Sequence, residues 1–408
     1  MLSVFTPSHD PRWLPDLYDS LLAQDHENWE WIILLNNGAK WACEDHRVFI
    51  HHHRGEETAV GFLKRLAVER THSDILVEVD HDDIVAPHAL RTITETFAAN
   101  PHAGFVYSDA SQINEDGSPN YELFDLTHGW SYYEQGEYLI AHSMAPLPHN
   151  ISYIWYAPNH VRAFTREAYD KAGGYDASRE IADDHDLMCR LYQVTDFVRI
   201  PEPLYFQRLH PTNTQKVRNA DIQVETQALY EQHVQANALA WADRSGLQCL
   251  DFGAAHNKPD GYLGVDLHDA DLVGDVLDVL SKLPDDSCGV IRAVDFLEHV
   301  TDKVRLMNEI HRVLAHGGML LSLTPSTDGR GAFQDPTHIA FWNENSFWYY
   351  TDPNYASFVT DITCRFQVSK INTFFPSDWH AEHQISYVQA NLIALKDGER
   401  CGGRMSWP

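Results

Sequence analysis

The chain has 408 residues, 44% of them hydrophobic and 12% aromatic, which fits two or three packed domains and excludes a disordered polymer. A formal net charge of −29, with histidine neutral, leaves no basic patch and argues against a general nucleic-acid or anionic-membrane binder. Six scattered cysteines without a Cys-x-x-Cys pair predict reduced thiols in a cytoplasmic protein; no signal peptide is expected, and no run approaches the roughly 18 apolar residues of a membrane span.

Taken in order, Ser3 to Phe5 predicts a strand running into Thr6-Pro7-Ser8, followed by a helix from about Trp13 to Ala23. Strands follow at Trp29 to Leu35, which ends in Asn36-Asn37-Gly38, and at Val48 to His52. A helix from Thr58 to Glu69 leads into Asp74-Ile-Leu-Val-Glu-Val-Asp80-His-Asp-Asp83, an apolar strand that stops in three carboxylates and an imidazole. A buried strand delivers such residues to the crevice where open α/β sheets bind ligands, and two acids one residue apart there suit a hard divalent cation. The plainer reading is an acidic turn before the next helix, Ala86 to Ala99. A further strand is expected at Gly104 to Tyr107, and the alternation of strands and helices predicts a parallel, doubly wound sheet.

From Asn120 to Asn159 the chain is rich in Tyr, Trp, His and Pro. The triple His51-His52-His53 is expected to be a solvated strand end, because alternation sends His52 to the opposite face from its neighbours. Gly173-Gly174-Tyr175-Asp176 precedes a helix from Asp183 to Tyr192, where Asp183 or Asp184 is either a functional acid or an N-cap.

Residues 219–245 predict a linker helix between domains at 1–218 and 246–408. A fresh α/β pattern then starts, with strands at Gln248 to Phe252, Tyr262 to Val265 and Val290 to Val294. A helix follows from Lys303 to Leu314, stopped by Gly317-Gly318, before a strand at Met319 to Leu323.

The first 215 residues or so resemble the family-2 glycosyltransferases of GT-A fold. The carrying stretches are Ser3 to Pro7, Ser20 to Gln24, Trp29 to Ile33, Lys64, Asp80 to Asp83, Gly173 to Asp176, Ala182 to Leu187 and His210. The resemblance implies a nucleotide-diphosphate sugar donor (UDP or GDP) and Mn2+ or Mg2+. It also implies inverting transfer to a hydroxyl on a glycan, protein or lipid-linked acceptor. Thr6 and Pro7 would border the base, and Asn37 stands where an Asp is usual. Lys64 would face the diphosphate, Asp80 the ribose or metal, and Asp82 and His210 the metal. Asp184 would be the general base, and the aromatic segment would shape the acceptor side.

Residues 246–400 resemble class I S-adenosylmethionine-dependent methyltransferases, through Leu250 to Gly253, Gly261 to Asp266, Leu297-Glu-His299, His311 to Leu314 and Gly317-Gly318. This implies S-adenosylmethionine approached by the turn at Gly253, with Asp266 on the ribose and Asp275 near the adenine. His299 and His338 would be bases or acceptor contacts. The run Asp335 to Trp342 resembles a segment of a glycan-associated subgroup. The usual Gly-x-Gly is Gly253-Ala254-Ala255 here, so a non-catalytic docking or oligomerisation module is the alternative for this half, and a homo-oligomer is left open. A lectin-like binder would explain the aromatics and leave Asp184 idle.

Overall fold

The structure, a computed structural model, describes residues 1–124, 126–158, 160–254, 258–396 and 401–403. The chain divides into two compact units. One comprises Met1–Leu126, Trp130–Pro146 and Asn150–His233; the other comprises Thr127–Gly129, Leu147–His149 and Val234–Pro408.

Among the described residues, the first unit has ten strands. They are β1 Leu2–Ser8, β2 Trp29–Leu35, β3 Val48–His52, β4 Ile75–Glu78, β5 Ile84–Val85, β6 Ala103–Asn114, β7 Tyr132–Gln135, β8 Tyr138–Ala141, β9 Arg162–Thr165 and β10 Asp196–Leu209. The sheet order is β3-β2-β1-β4-β9-β6-β10-β5, with β7 and β8 hanging off β6. Every residue of β2 is buried, as expected for a strand covered on both faces. The helix Leu14–Leu22 buries Leu14, Leu17 and Leu21, spaced to form one stripe against that sheet.

The parallel sheet expected from the alternation holds from β3 to β4 and again between β6 and β10. Beyond β4 the sheet is mixed, because β9 pairs antiparallel with both β4 and β6. This four-residue strand begins with Arg162 and carries little hydrophobic pattern to announce it. Order reverses between β1 and β4, so their carboxyl ends open the crevice of a topological switch point.

The helix Asn219–Arg244 follows the first sheet. The second unit then has β11 Gln248–Phe252, β12 Leu263–Asp266, β13 Leu272–Val273, β14 Cys288–Val294, β15 Leu314–Pro325, β16 Phe366–Phe374 and β17 Tyr387–Ala394. Their order is β13-β12-β11-β14-β15-β17-β16, parallel as far as β15 and antiparallel through β17. The switch point lies between β11 and β14.

The helix Lys303–Val313 stops before the glycine pair, and the chain passes directly into β15 at Leu314. Gly317 and Gly318 fall in the register shift of β14 against β15, between the pairings Cys288↔Leu314 and Val290↔Met319. They shape an irregularity in a strand, not the end of a helix. Among the described residues, no helix is long and apolar enough to cross a membrane.

Candidate functional site

At the switch point of the first unit, β4 ends in Glu78 and the chain turns through Asp80 to Asp83. Glu78, 3% exposed, is the centre of a buried charge network. Arg162 Nη1 reaches Glu78 Oε1 at 2.6 Å, Lys64 Nζ reaches it at 2.7 Å, and Tyr175 OH donates to Oε2 at 2.5 Å. Lys64 also pairs with Asp183 at 2.9 Å, and Arg162 Nη2 pairs with Asp184 at 3.0 Å. Lys64 is thus held inside the protein between two carboxylates, which is a structural role beside the diphosphate contact expected for it.

Asp183 and Asp184 open the helix Asp183–Val194, but neither is its N-cap, which is Ala182. The neighbours differ in chemistry. Burial would raise the Asp184 carboxyl, but Arg162, Lys64 and a hydrogen bond from the His185 N–H outweigh it and hold it well below the usual carboxylate range. Burial, reinforced by Asp184 and Glu78, pushes Asp183 up to about 6 despite Lys64. Asp184 is the more exposed of the two and stays ionised, as a proton acceptor must.

The Asp183 shift has a definite sign for stability. An acid whose native pKa lies above its unfolded value binds its proton more tightly in the native state. Its stabilising contribution is therefore complete below the unfolded pKa and is lost as pH rises through the native one. Urea unfolding of the wild type should weaken between about pH 4 and pH 6, by about 3 kcal/mol at most. Asp183→Asn should lack that decline, and an identical slope in both proteins would contradict the assignment.

Arg162 joins Glu78, the last residue of β4, to Asp184 at the helix start, and Lys64 joins Glu78 to Asp183, so two buried cations tie the strand end to the helix. Asp82 lies against the end of β10. His210 Nε2 sits 2.8 Å from Asp82 Oδ2, Asn213 Nδ2 donates to the same oxygen at 3.4 Å, and the His210 ring lies tilted against Trp13 with centroids 4.5 Å apart. Among the described residues, Asp80 comes within 4.8 Å of Asp83 and His160 as a group and not of Asp82 and His210, so the Asp82–His210 pair offers one carboxylate and one imidazole to a cation such as Mn2+ or Mg2+.

Sequence reasoning passed over several of the residues that hold this geometry. Asp83, 2% exposed, accepts from Tyr205 OH and the Arg208 N–H, both at 2.7 Å, and its carboxyl is raised by burial and by Asp82 and Asp80. His160 stacks on Tyr205 at 4.0 Å and, with Asp80 and Asp83, offers three ligand atoms within 4.8 Å of one another. Asp109, fully buried in β6, takes Arg199 on both oxygens at 2.7 and 2.8 Å. A lone Asp two residues beyond the strand expected at Gly104 to Tyr107 was the available signal for it.

The Thr6 hydroxyl is engaged within the sheet: fully buried, it donates to the Val79 carbonyl at 2.8 Å and accepts from Trp31 Nε1 at 2.9 Å, tying β1 to β2 and to the residue after β4. Pro7 is half-buried, and Asn37 is exposed with φ +51°, beside Gly38 at φ +77°. Trp130 and Tyr132 of the aromatic segment line a cavity with Ser111, Gln112, Gln207 and His160. His160 therefore belongs both to this cavity and to the Asp80–Asp83 group.

In the second unit, Gly253 follows β11 with φ +67°, and a Cβ there would stand 2.8 Å from Phe296. Both facts demand glycine, and the Phe296 ring occupies the room a Cβ would need. Ala255 lies outside the described residues. Asp266 ends β12 and accepts from the Leu267 N–H at 2.6 Å. Asp275 is exposed and caps the helix Val276–Leu280, accepting from the Leu277 N–H at 2.9 Å, a local task that its proximity to an adenine would have to share. His299 and His338 come together, ring centroids 5.1 Å apart, beside Glu298.

Comparison with known proteins divides the chain in the same way. Residues 3–122 match the family model "Glycosyl transferase family 2", and residues 250–322 match "Methyltransferase domain". The O-antigen biosynthesis protein RfbC of Myxococcus xanthus is 26% identical over 222 residues, 51% of this chain and 16% of the relative. The chondroitin synthase of Escherichia coli is 25% identical over 166 residues, 41% of this chain and 21% of the relative. The chain thus spans about a fifth or less of the length of these relatives. Among solved structures, S. aureus TarS 1-349 in complex with UDP-GlcNAc aligns over 59% of this chain and 70% of its own, with a TM-score of 0.43 and 10% identity. The mannosyltransferase PcManGT from Pyrobaculum calidifontis in complex with GDP-Man and Mn2+ aligns over 60% and 73%, with a TM-score of 0.38 and 14% identity.

Proposed function

We propose that this chain, which joins a family 2 glycosyltransferase domain to a methyltransferase domain, transfers a sugar from a nucleotide-diphosphate donor to a hydroxyl and methylates the same or a related glycan. The observation that carries the first half is Arg162 bridging Glu78 and Asp184, which holds the acid at the helix start against the strand end that leads into Asp80 and Asp82.

In this reading Asp184 accepts the proton of the attacking hydroxyl. Arg162 fixes the orientation of that carboxylate through Oδ2, and the His185 N–H fixes it through Oδ1. Asp80, Asp82 and His210 would hold Mn2+ or Mg2+, which when bound supplies positive charge for the leaving diphosphate. The cavity bounded by Trp130, Tyr132 and His160 offers aromatic faces to an acceptor sugar. A single displacement of this kind inverts the anomeric centre. The relatives named for O-antigen and chondroitin synthesis support a polysaccharide acceptor.

A screen of UDP- and GDP-sugars for hydrolysis tests this half. One donor should be hydrolysed by the wild type with Mn2+, and chelation should abolish the activity. Asp82→Asn should lower it by about 100-fold, the order expected when an ion that stabilises leaving-group charge is lost. Hydrolysis indifferent to both changes would defeat the assignment.

For the second half, the turn at Gly253 and the acid Asp266 lie at the carboxyl ends of adjacent strands beside the switch point, where a nucleoside cofactor is expected. Calorimetry should detect S-adenosylmethionine bound by the wild type, and Asp266→Ala should weaken it about tenfold through loss of one charge-assisted hydrogen bond. No heat at millimolar ligand would instead favour the docking or oligomerisation module, with glycosyl transfer untouched.

A further inference from the structure

We propose that Glu298, His299 and His338 form a binding site for a borderline divalent cation of the zinc and cobalt type. The inference stands on side chains of the second unit alone and does not depend on either transfer reaction.

The three residues reach one place from two segments. Glu298 and His299 lie on the short helical turn Leu297–His299 that follows β14, at the carboxyl edge of the sheet. His338 comes from the segment after the helix Gly331–Gln334. That segment is docked on the turn, since the N–H groups of Ile339 and Ala340 both donate to the Glu298 carbonyl at 2.9 Å. Trp342 Nε1 adds a bond to the Leu297 carbonyl at 3.1 Å. One carboxylate oxygen and one nitrogen from each ring then lie within 4.8 Å of one another.

The hydrogen bonds around the cluster fix where its protons are. His338 Nδ1 lies 3.2 Å from the Ala332 carbonyl, and His299 Nδ1 lies 3.1 Å from the Thr337 carbonyl. A carbonyl only accepts, so each neutral ring carries its proton on Nδ1 and leaves a lone pair on Nε2. A backbone carbonyl behind each imidazole is the arrangement that orients histidine as a metal ligand. His338 Nε2 faces Glu298 Oε1 at 4.0 Å.

Glu298 supplies an independent sign. The residue is 2% exposed, and its Oε2 accepts from the Thr324 hydroxyl at 2.5 Å, while its Oε1 is buried without any hydrogen-bond partner. A buried carboxylate oxygen left unpaired is costly, and among the described residues Glu298 forms no ion pair with lysine or arginine. Two ring lone pairs and this oxygen converge with no donor between them, and a cation answers all three. Two imidazoles and one carboxylate suit Zn2+ or Co2+ in preference to Mg2+, which prefers oxygens throughout. Bonds of about 2.1 Å need ligand atoms about 3.4 Å apart, so the side chains close slightly on the ion. The exposed ring of His299 gives the ion a way in.

The test uses the full chain after chelation, titrated with Co2+ and then with Zn2+. Beyond any ion held by Asp82 and His210 of the first unit, about one equivalent of Co2+ should bind with visible absorption bands of a nitrogen-liganded ion, and Zn2+ should displace it. The double variant His299→Gln, His338→Gln should lose the bands and that equivalent, while His210→Gln in the first unit should keep both. Unchanged bands and stoichiometry in the double variant would overturn the site. Should that variant fail to fold, carbethoxylation of the wild type decides the matter: Zn2+ should slow modification of His299 several-fold, and an equal rate with and without Zn2+ would refute the proposal.

Discussion

Replacing Asp184 by Asn should lower the rate of glycosyl transfer by about 10²- to 10⁴-fold, the range that a positioned general base contributes. The substitution keeps the size of the side chain and a carbonyl oxygen for Arg162, so the fold should survive with at most a modest fall in melting temperature. Binding of the donor should also persist, because the acids assigned to the metal, Asp80 and Asp82, lie on another element, after β4. The diagnostic is a rate constant that collapses while the dissociation constant for the donor stays within a few-fold of wild type. A variant that transfers sugar at nearly the native rate would remove Asp184 from the chemistry and return the pair to a purely structural role.

The second large effect concerns stability. Arg162 is 5% exposed and neutralises two carboxylates at once, Glu78 at 2.6 Å and Asp184 at 3.0 Å. Arg162→Gln removes the cation and leaves Glu78 to Lys64 and Tyr175 alone. Breaking a buried pair by deleting one partner costs about 3–5 kcal/mol, because the surviving charge stays desolvated. In a unit of this size that lowers the melting temperature by on the order of 10 °C. The double variant Arg162→Gln, Glu78→Gln should recover part of the loss, since the orphaned charge is gone. By contrast Arg12→Ala, which breaks a half-exposed pair with Asp10, should shift the melt by about 2 °C or less. If the two single variants melt alike, the buried network does not hold the unit together.

The strands of the first half and the carboxylates after β4 could be read from the chain because both signals are local: a buried strand is a short apolar run, and a ligand turn is a cluster of acids next to it. What could not be read was pairing at long range. Glu78 meets Arg162 and Tyr175 across 84 and 97 residues, and Asp82 meets His210 across 128. Nothing periodic marks those separations; the histidine was found only through resemblance. Arg162 escaped notice because it opens a four-residue strand whose pairing with β4 turns the sheet from parallel to mixed. Lys64 was seen as a charge, but its burial depends on two acids supplied by other elements. In the second half the glycine pair at 317 and 318 was legible as a break, and only the register of β15 against β14 showed which element it breaks.

The engagement of Thr6 bears on where the proposed donor site can vary. A hydroxyl that joins two strands of the core cannot be exchanged without loosening the sheet, so that position is closed to drift. Asn37 sits at the end of the neighbouring strand, exposed and already left-handed, a conformation that Asn, Asp and Gly all tolerate. Were Asn37 to border the base, as the resemblance implies, substitutions at this rim would retune the choice of nucleotide while the scaffold beneath stays intact.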